Sequence, residues 1–321
     1  MTFAAKLLTA ASAIGIAFAS QAFAADYPER TITIVVPYPA GGTIDRLSRE
    51  LGDHLAKKWG QAVVVENRAG GNGAVGVENV RGSEPDGYTL LVGGGSTHSI
   101  GPATDKDLKY DPIKDFTTVA YLGDTPMVIT AGPSVGDLDF KALVEKAKAA
   151  PKEIKYGSVG NSTVLAGELL NRSAGIELRH VNYKQFGPTL IDLTRGDIDL
   201  GISSLSIVLG NIQQKMVRPL AVTSKERSKL LPDVPAVAET YPDFEVLIWF
   251  GIFGPAGLPE EVRTKLHDEV SQFQKSAGRA EKWESEAFTF RDRSIADYDT
   301  FLSEDYTKWE KIAAESGMGK K

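Results

Sequence analysis

Thr31-Ile32-Thr33-Ile34-Val35-Val36-Pro37-Tyr38-Pro39-Ala40-Gly41-Gly42-Thr43 is a β-branched run closed by two prolines and two glycines, and it opens directly onto a helical pattern. In that pattern Ile44, Leu47, Leu51 and Leu55 recur at 3-4-4 spacing while Arg46, Arg49, Glu50 and Lys57 are left for solvent, so an amphipathic helix is predicted that ends near Gly60. A strand that turns through glycines into a helix is a βα unit, the building block of a largely parallel sheet. Further strand signals stand at 62–66 and 88–92. From Met127 a second set begins, with strands near 128–131, 154–158, 178–183, 198–202 and 219–222 and helices at 140–149 and 164–173. The stretch 244–254 is again strand-like, and 259–274 and 295–315 read as helices. No internal repeat or low-complexity tract interrupts this order.

The first segment reads as an address rather than as part of the fold. Lys6 precedes an apolar run over 7–18 and small residues ending Ala22-Phe23-Ala24, the pattern of a Sec signal peptide cleaved near Ala24. No later stretch reaches the roughly 20 apolar residues of a membrane helix, so the mature chain is expected to reside free in the periplasm. With no cysteine in the chain, a lipoprotein anchor, thiol catalysis and cysteine-metal sites are all excluded. Loss of the segment removes one positive charge, Lys6, and takes the formal net charge from −6 to −7. An acidic chain is a poor partner for nucleic acid. About 300 residues exceed what one core usually holds, so two domains are expected.

Four loops that each follow a predicted strand carry the polar chemistry. The first supplies Tyr38, Ala40, Gly41, Gly42 and Thr43, where glycines allow close backbone approach and a helix start offers free N–H groups to an anion. The second, 93–98, supplies Ser96, Thr97 and His98; the third, 157–163, supplies Asn161, Ser162 and Thr163; the fourth, 183–188, supplies Tyr183 and Phe186. Any one of them serves equally as a turn. Their agreement at the carboxyl ends of strands, which face the ligand crevice in open α/β sheets, predicts a binding cleft.

Three other features are weighed and set aside. Gly71-Asn72-Gly73-Ala74-Val75-Gly76 matches a dinucleotide fingerprint, yet it follows the second strand and lacks an acid at a strand end about 20 residues on. Ser96 with His98 offers a nucleophile and base, but no G-x-S-x-G elbow is present. The histidines His54, His98, His180 and His267 show no metal-ligand spacing, and neither a metal nor a cofactor is expected. Trp249, Phe250 and Phe253 read as core aromatics near a crossing between domains.

Taken together, several segments resemble the Bug family, the solute-binding proteins of tripartite tricarboxylate transporters. They are Tyr27-Pro28, Val36-Pro37-Tyr38-Pro39-Ala40-Gly41-Gly42, Val65-Glu66-Asn67-Arg68, Pro85-Asp86-Gly87-Tyr88-Thr89-Leu90-Leu91, Tyr110-Asp111-Pro112-Ile113-Lys114-Asp115-Phe116, His180-Val181-Asn182-Tyr183-Lys184, Ala221-Val222-Thr223-Ser224, Leu231-Pro232-Asp233-Val234-Pro235 and Trp249-Phe250-Gly251. They run in order through nearly the whole mature chain. The resemblance implies a two-lobed type II periplasmic-binding-protein fold, a Venus flytrap of mixed, mainly parallel sheets flanked by helices. It implies a first lobe from 25–126 and 247–321, a second lobe from 127–246, and a small organic carboxylate enclosed between them. Di- and tricarboxylates, aromatic ones included, are the ligand class so implied, with main-chain and hydroxyl groups of Ala40, Gly41, Gly42 and Thr43 on one side and Asn161, Ser162 and Thr163 on the other. A small and a large integral-membrane subunit are the implied partners of a monomeric receptor that is not an enzyme.

The chain departs from the family pattern at two places. Gln185-Phe186 stands where many members have two glycines, and Ser203-Ser204 where many have Asp-Asn. An acid at 203 would repel an anion or select an amino group, whereas Ser203 donates to an anion, and Phe186 either offers a ring to the ligand or packs its own lobe. Two rival functions remain at this level: a sensory partner of a membrane kinase, and a hydrolase built on Ser96 and His98.

Overall fold

The computed structural model describes residues 27–319, so the signal peptide and its cleavage near Ala24 lie outside the described residues. The chain begins with β1 (Ile32–Val36), α1 (Thr43–Trp59), β2 (Val63–Asn67), α2 (Ala74–Arg81), β3 (Thr89–Gly94), two short helices α3 (Gly95–His98) and α4 (Ile100–Thr104), and β4 (Phe116–Ala131). It continues through α5 (Phe140–Ala149), β5 (Lys155–Val159), α6 (Asn161–Ala174), β6 (Arg179–Tyr183), α7 (Phe186–Arg195), β7 (Leu200–Ser204), α8 (Leu205–Gln213) and β8 (Arg218–Val222). The last part is β9 (Leu247–Pro255), α9 (Glu260–Gln274), α10 (Arg279–Glu284), β10 (Thr289–Phe290) and α11 (Ile295–Glu315). The decisive stretch folds as its periodicity predicts: Ile44, Leu47, Leu51 and Leu55 are buried, and Gly60 ends α1 in the left-handed conformation at φ 68°.

The strand order β2-β1-β3-β9-β4-β7-β5-β6 is mixed. The flanks are parallel, with Ile34 opposite Val65 on one side and Leu90 on the other, and with β5 parallel to both β6 and β7. The centre is antiparallel, because β9 returns between β3 and β4. β4 changes partners along its length: residues 116–126 pair with β9, and from Met127 to Ala131 the strand pairs with β7 and β8. One strand thus belongs to two groups of strands.

Each group has its own core. Ile34, Leu47, Leu90, Leu266, Phe273 and Trp283 are buried together beside the first. Met127, Tyr156, Leu165, Leu200 and Phe244 are buried beside the second, joined by Trp309, Ile312 and Ala313 from the end of α11. Burying apolar surface at about 25 cal/mol per Å2 is what holds both. Among the described residues no helix is long and apolar enough to cross a membrane.

Candidate functional site

A cavity of about 420 Å3 opens where the carboxyl ends of strands from both groups meet. Tyr38 follows β1, Ser96 follows β3, Ser162 and Thr163 follow β5, Phe186 follows β6, and Ser203 and Ser204 end β7. Thr130 of β4 and residues 247–250 of β9, the two central antiparallel strands, supply the rest of the wall beside them. A second cavity of about 380 Å3 adjoins it and shares Tyr38, Ser96, Ile100, Val159 and Ser162 with it. Asn161 lines only this second space, where its Nδ2 donates to Thr104 Oγ1 at 2.9 Å. That bond joins the start of α6 to the end of α4.

At the seam of the two cavities the donors are neutral. Tyr38 Oη and Ser96 Oγ lie 2.7 Å apart, and burial raises the tyrosine pKa, so its phenol stays protonated and able to donate. Gly160, the residue before α6, offers no side-chain cap, so the first N–H groups of the helix at Asn161, Ser162 and Thr163 are left without helical partners. The wall behind is held in place. Phe250 meets Tyr38 edge to face at 5.8 Å, and Trp249 Nε1 donates to Asp305 Oδ2 at 2.8 Å. Burial raises the pKa of Asp305, while hydrogen bonds from Ser99 and Trp249 pull it back down. Trp249 and Phe250 are therefore packed aromatics, as their sequence suggests, and wall residues as well. Phe253 is core alone, stacked on His98 at 3.8 Å.

Other residues singled out in the sequence stand elsewhere. Ala40, Gly41, Gly42 and Thr43 do not line either cavity. The loop carries an anion of its own, because the Gly41 N–H donates to Asp45 Oδ2 at 2.8 Å and Asn67 and Arg49 also donate to that carboxylate. Burial alone would raise the pKa of Asp45; the bonds from Gly41, Arg49 and Asn67 outweigh it and hold the group below the ordinary carboxylate value. Tyr183 is turned to Asp192, to which its hydroxyl donates at 2.5 Å. Thr97 and His98 are fully buried. His98 Nδ1 lies 2.9 Å from Thr97 Oγ1, its Nε2 has no partner among the described residues, and burial pushes its pKa down to about 3.

The dyad of Ser96 and His98 is not assembled, since Ser96 bonds Tyr38 and His98 bonds Thr97. The dinucleotide-like glycines serve packing. A Cβ on Gly76 would meet Pro37 Cβ at 2.9 Å, and Gly73 sits at φ +97° with Thr97 Cγ2 2.8 Å from where its Cβ would be. They bring α2 against the first loop, with Gly70, Asn72 and Gly73 on the wall of the second cavity.

Tyr38, Ser96, Ser162, Thr163 and Phe186 from the four loops, with Ser203 and Ser204, line the main cavity, and Asn161 lines the adjoining one. The apolar partners Leu190, Leu193, Ile207 and Val208 were not legible, because they sit in α7 and α8, behind loops read as turns. Of these, Ile207 is 56% exposed and so serves as wall rather than core. A third cavity, about 630 Å3, lies beside Asp124, Pro126 and Leu247 and is lined largely by charged side chains, of which Arg291 pairs with Asp124 and Lys229 with Glu284.

Three comparisons bear on this site. The sequence profile described as "Tripartite tricarboxylate transporter family receptor" matches residues 47–318. Protein BugT of Bordetella pertussis (strain Tohama I) is 30% identical over 313 residues, which is 95% of this chain and 96% of that one. Among solved structures, "R. palustris Rpa4515 with adipate" is 31% identical with a TM-score of 0.79 and covers 91% of this chain and 99% of its own. "MatC (Rpa3494) from Rhodopseudomonas palustris with bound malate" is 28% identical with a TM-score of 0.74, over 89% of this chain and 99% of that one.

Proposed function

Because the chain belongs to the tripartite tricarboxylate transporter receptor family, we propose that it is a monomeric periplasmic receptor that closes two lobes on a small organic carboxylate and delivers it to a small and a large integral-membrane subunit. The first lobe comprises residues 25–126 and 247–321, the second 127–246, and the signal peptide is removed near Ala24. The observation that carries this reading is the shared cavity seam. Tyr38 and Ser96 from one group of strands line it together with Ser162, at the uncapped start of α6, from the other. Relatives of the same fold that hold adipate and malate support a carboxylate as the ligand.

Closure follows from dividing the donors between lobes. A ligand shifts an open–closed equilibrium only by its difference in affinity for the two states, and that difference is large when neither lobe alone completes the set. Hydrogen bonds to a charged group contribute roughly 1.5–3 kcal/mol each, and micromolar affinity corresponds to about 8 kcal/mol net. Several neutral donors, aided by the positive end of the α6 dipole, are enough for one carboxylate. Calorimetric titration of the mature protein with a panel of acids, against amides of the same skeletons, tests the proposal. One acid bound per chain without turnover, and weaker binding of its amide, is the expected result; equal binding of acid and amide would sink it.

A further inference from the structure

Behind the main cavity one carboxylate is shared by two tryptophans. Asp305 of α11 accepts from Trp249 Nε1 through Oδ2 at 2.8 Å and from Trp309 Nε1 through Oδ1 at 3.0 Å. The two indoles belong to different cores. Trp249, on β9, is 2% exposed and packs with Val35, Leu91 and Phe253 beside the first group of strands, whereas Trp309 is buried with Met127, Leu165 and Leu200 beside the second. Among the described residues the bonds of Asp305 are to these neutral donors rather than to a cation. Lys308, three positions on, is turned instead to the Glu245 carbonyl, to which its Nζ donates at 2.6 Å. Asp305 itself lines neither cavity of the site.

A carboxylate held away from water without a counter-charge depends on its hydrogen bonds, and here those bonds secure a wall of the ligand space. Trp249 lines the main cavity with its one N–H committed to Asp305. Its ring is stacked on Tyr121 at 6.1 Å and meets Phe301 edge to face at 5.2 Å. Gly95, the first residue of α3, stands on another side, where a Cβ would lie 3.4 Å from Nε1. Ser96, the partner of Tyr38 at the seam, is the next residue in the chain. Without Asp305 the indole N–H would be a buried donor with no partner, which is costly. The ring would regain a partner by turning, and turning moves the cavity wall and presses on the helix that carries Ser96.

We infer that Asp305 is a positioning residue for ligand binding: it fixes the Trp249 wall against the start of α3, and through Trp309 it ties that wall to the second core. Affinity for an acid then depends on a carboxylate that touches no ligand. This rests on the carboxylate reading above and adds to it a residue outside the cleft. Asparagine has the same shape but cannot take its place. An amide has one acceptor oxygen and a donor NH2, so one of the two indole N–H groups would face a donor.

Calorimetry on the mature protein tests it in a cycle of wild type, Asp305→Asn, Trp249→Phe and the double variant, with adipate, malate, hexanoate and benzoate as probes. For the acid that the wild type binds best, Asp305→Asn should weaken binding at least about tenfold in the wild-type background and less than about threefold in the Trp249→Phe background. Equal losses in the two backgrounds, or no loss in the first, would overturn the inference and leave the carboxylate reading standing. The wild type supplies a second reading that needs no variant to fold. The chain has four tryptophans, and in isotope-labelled protein each indole N–H gives its own nuclear magnetic resonance signal. A saturating acid should shift the signals of Trp249 and Trp309 together, although Trp309 lines neither cavity, and leave those of Trp59 and Trp283 in place. A shift confined to Trp249 would overturn the inference alone. Failure of all four acids to bind the wild type would overturn it together with the carboxylate reading.

Discussion

Ser162 and Thr163 are neighbours at the start of α6, and only one of them has a hydroxyl to spare. Thr163 Oγ1 accepts from the Val159 N–H at 2.9 Å and lies within reach of the Val159 and Gly160 carbonyls, which ties the end of β5 to the helix. Ser162 has no such bond recorded and faces both cavities. Ser162→Ala should therefore weaken acid binding by about 1.5–3 kcal/mol, roughly 10- to 150-fold, with little change in melting temperature. Thr163→Ala should instead lower unfolding stability by about 1 kcal/mol; the reverse pattern in paired calorimetry and denaturation would show that the wrong hydroxyl has been chosen. His98 carries a pH-dependent consequence. Its folded pKa of about 3 lies below the ordinary 6.5, so the fold favours the neutral ring. Its contribution is complete above pH 6.5 and is lost as pH falls toward 3, at about 1.4 kcal/mol per pH unit. His98→Phe keeps a ring against Phe253 and should flatten the fall in stability between pH 6.5 and 4.5 relative to the wild type, measured by urea unfolding. Equal slopes would mean that His98 takes up its proton in the fold. Residue types in the loops were legible from sequence. Which hydroxyl was already bonded was not, because that depends on partners such as Val159 or Thr97 whose placement is tertiary.

At the scale of elements, Thr223 occupies the position that links the two central antiparallel strands, β4 and β9. It is fully buried after β8, its Oγ1 accepts from the Met127 N–H at 2.8 Å, and it donates to Val246 O at 2.6 Å. Met127 is where β4 changes partners, and Val246 is the residue before β9. Thr223→Val keeps the shape and leaves a buried donor and a buried acceptor unpaired, which should cost about 2–4 kcal/mol. A lower urea midpoint at unchanged slope is the expected signature; a loss below about 0.5 kcal/mol would show that the junction of β4 and β9 does not depend on this hydroxyl. The helices at 140–149 and 295–315 and most strands were legible because their periodicity is unbroken. The first half of β4 was not. Gly123-Asp124-Thr125-Pro126 has the composition of a turn, yet it forms strand with register shifts, and Gly123 at φ +152° lets the Thr289 carbonyl approach to 2.3 Å from where a Cβ would stand. α7 was missed for a similar reason. Gly187-Pro188 reads as a loop, but Pro188 falls in the first turn, where a missing N–H has no helical acceptor to lose.

For the whole molecule, the composition of the chain provides a direct test of enclosure. The proposed lobes touch at Asn161 and Thr104, through the exposed pairs Lys229–Glu284 and Arg172–Glu315, where Lys308 donates to the Glu245 carbonyl, and through Trp309, Ile312 and Ala313 of α11, which are buried in the second core. Exposed ion pairs of that kind contribute little, so enclosure of the ligand is tested by linking the lobes at the mouth of the cleft. The sequence has no cysteine. Thr104→Cys combined with Asn161→Cys therefore puts two unique thiols at the mouth, where a short bis-maleimide can join the lobes. Neither side chain belongs to the main cavity, and the affinity of the unlinked double variant, measured first, is the reference for both linking experiments. If the ligand is enclosed between lobes, linking after loading should slow its exchange by at least a hundredfold, and linking before loading should slow its entry by a similar factor. Retention of radiolabelled acid through gel filtration measures both. Hydrolysis of the linker's ester bonds, in a cleavable version, should restore the original rates in the same sample. A linked protein that exchanges its acid as fast as the unlinked one would place the ligand on an open surface rather than between two lobes. The seam of Tyr38, Ser96 and Ser162 would then have to bind from one side only, which its division between the two groups of strands argues against.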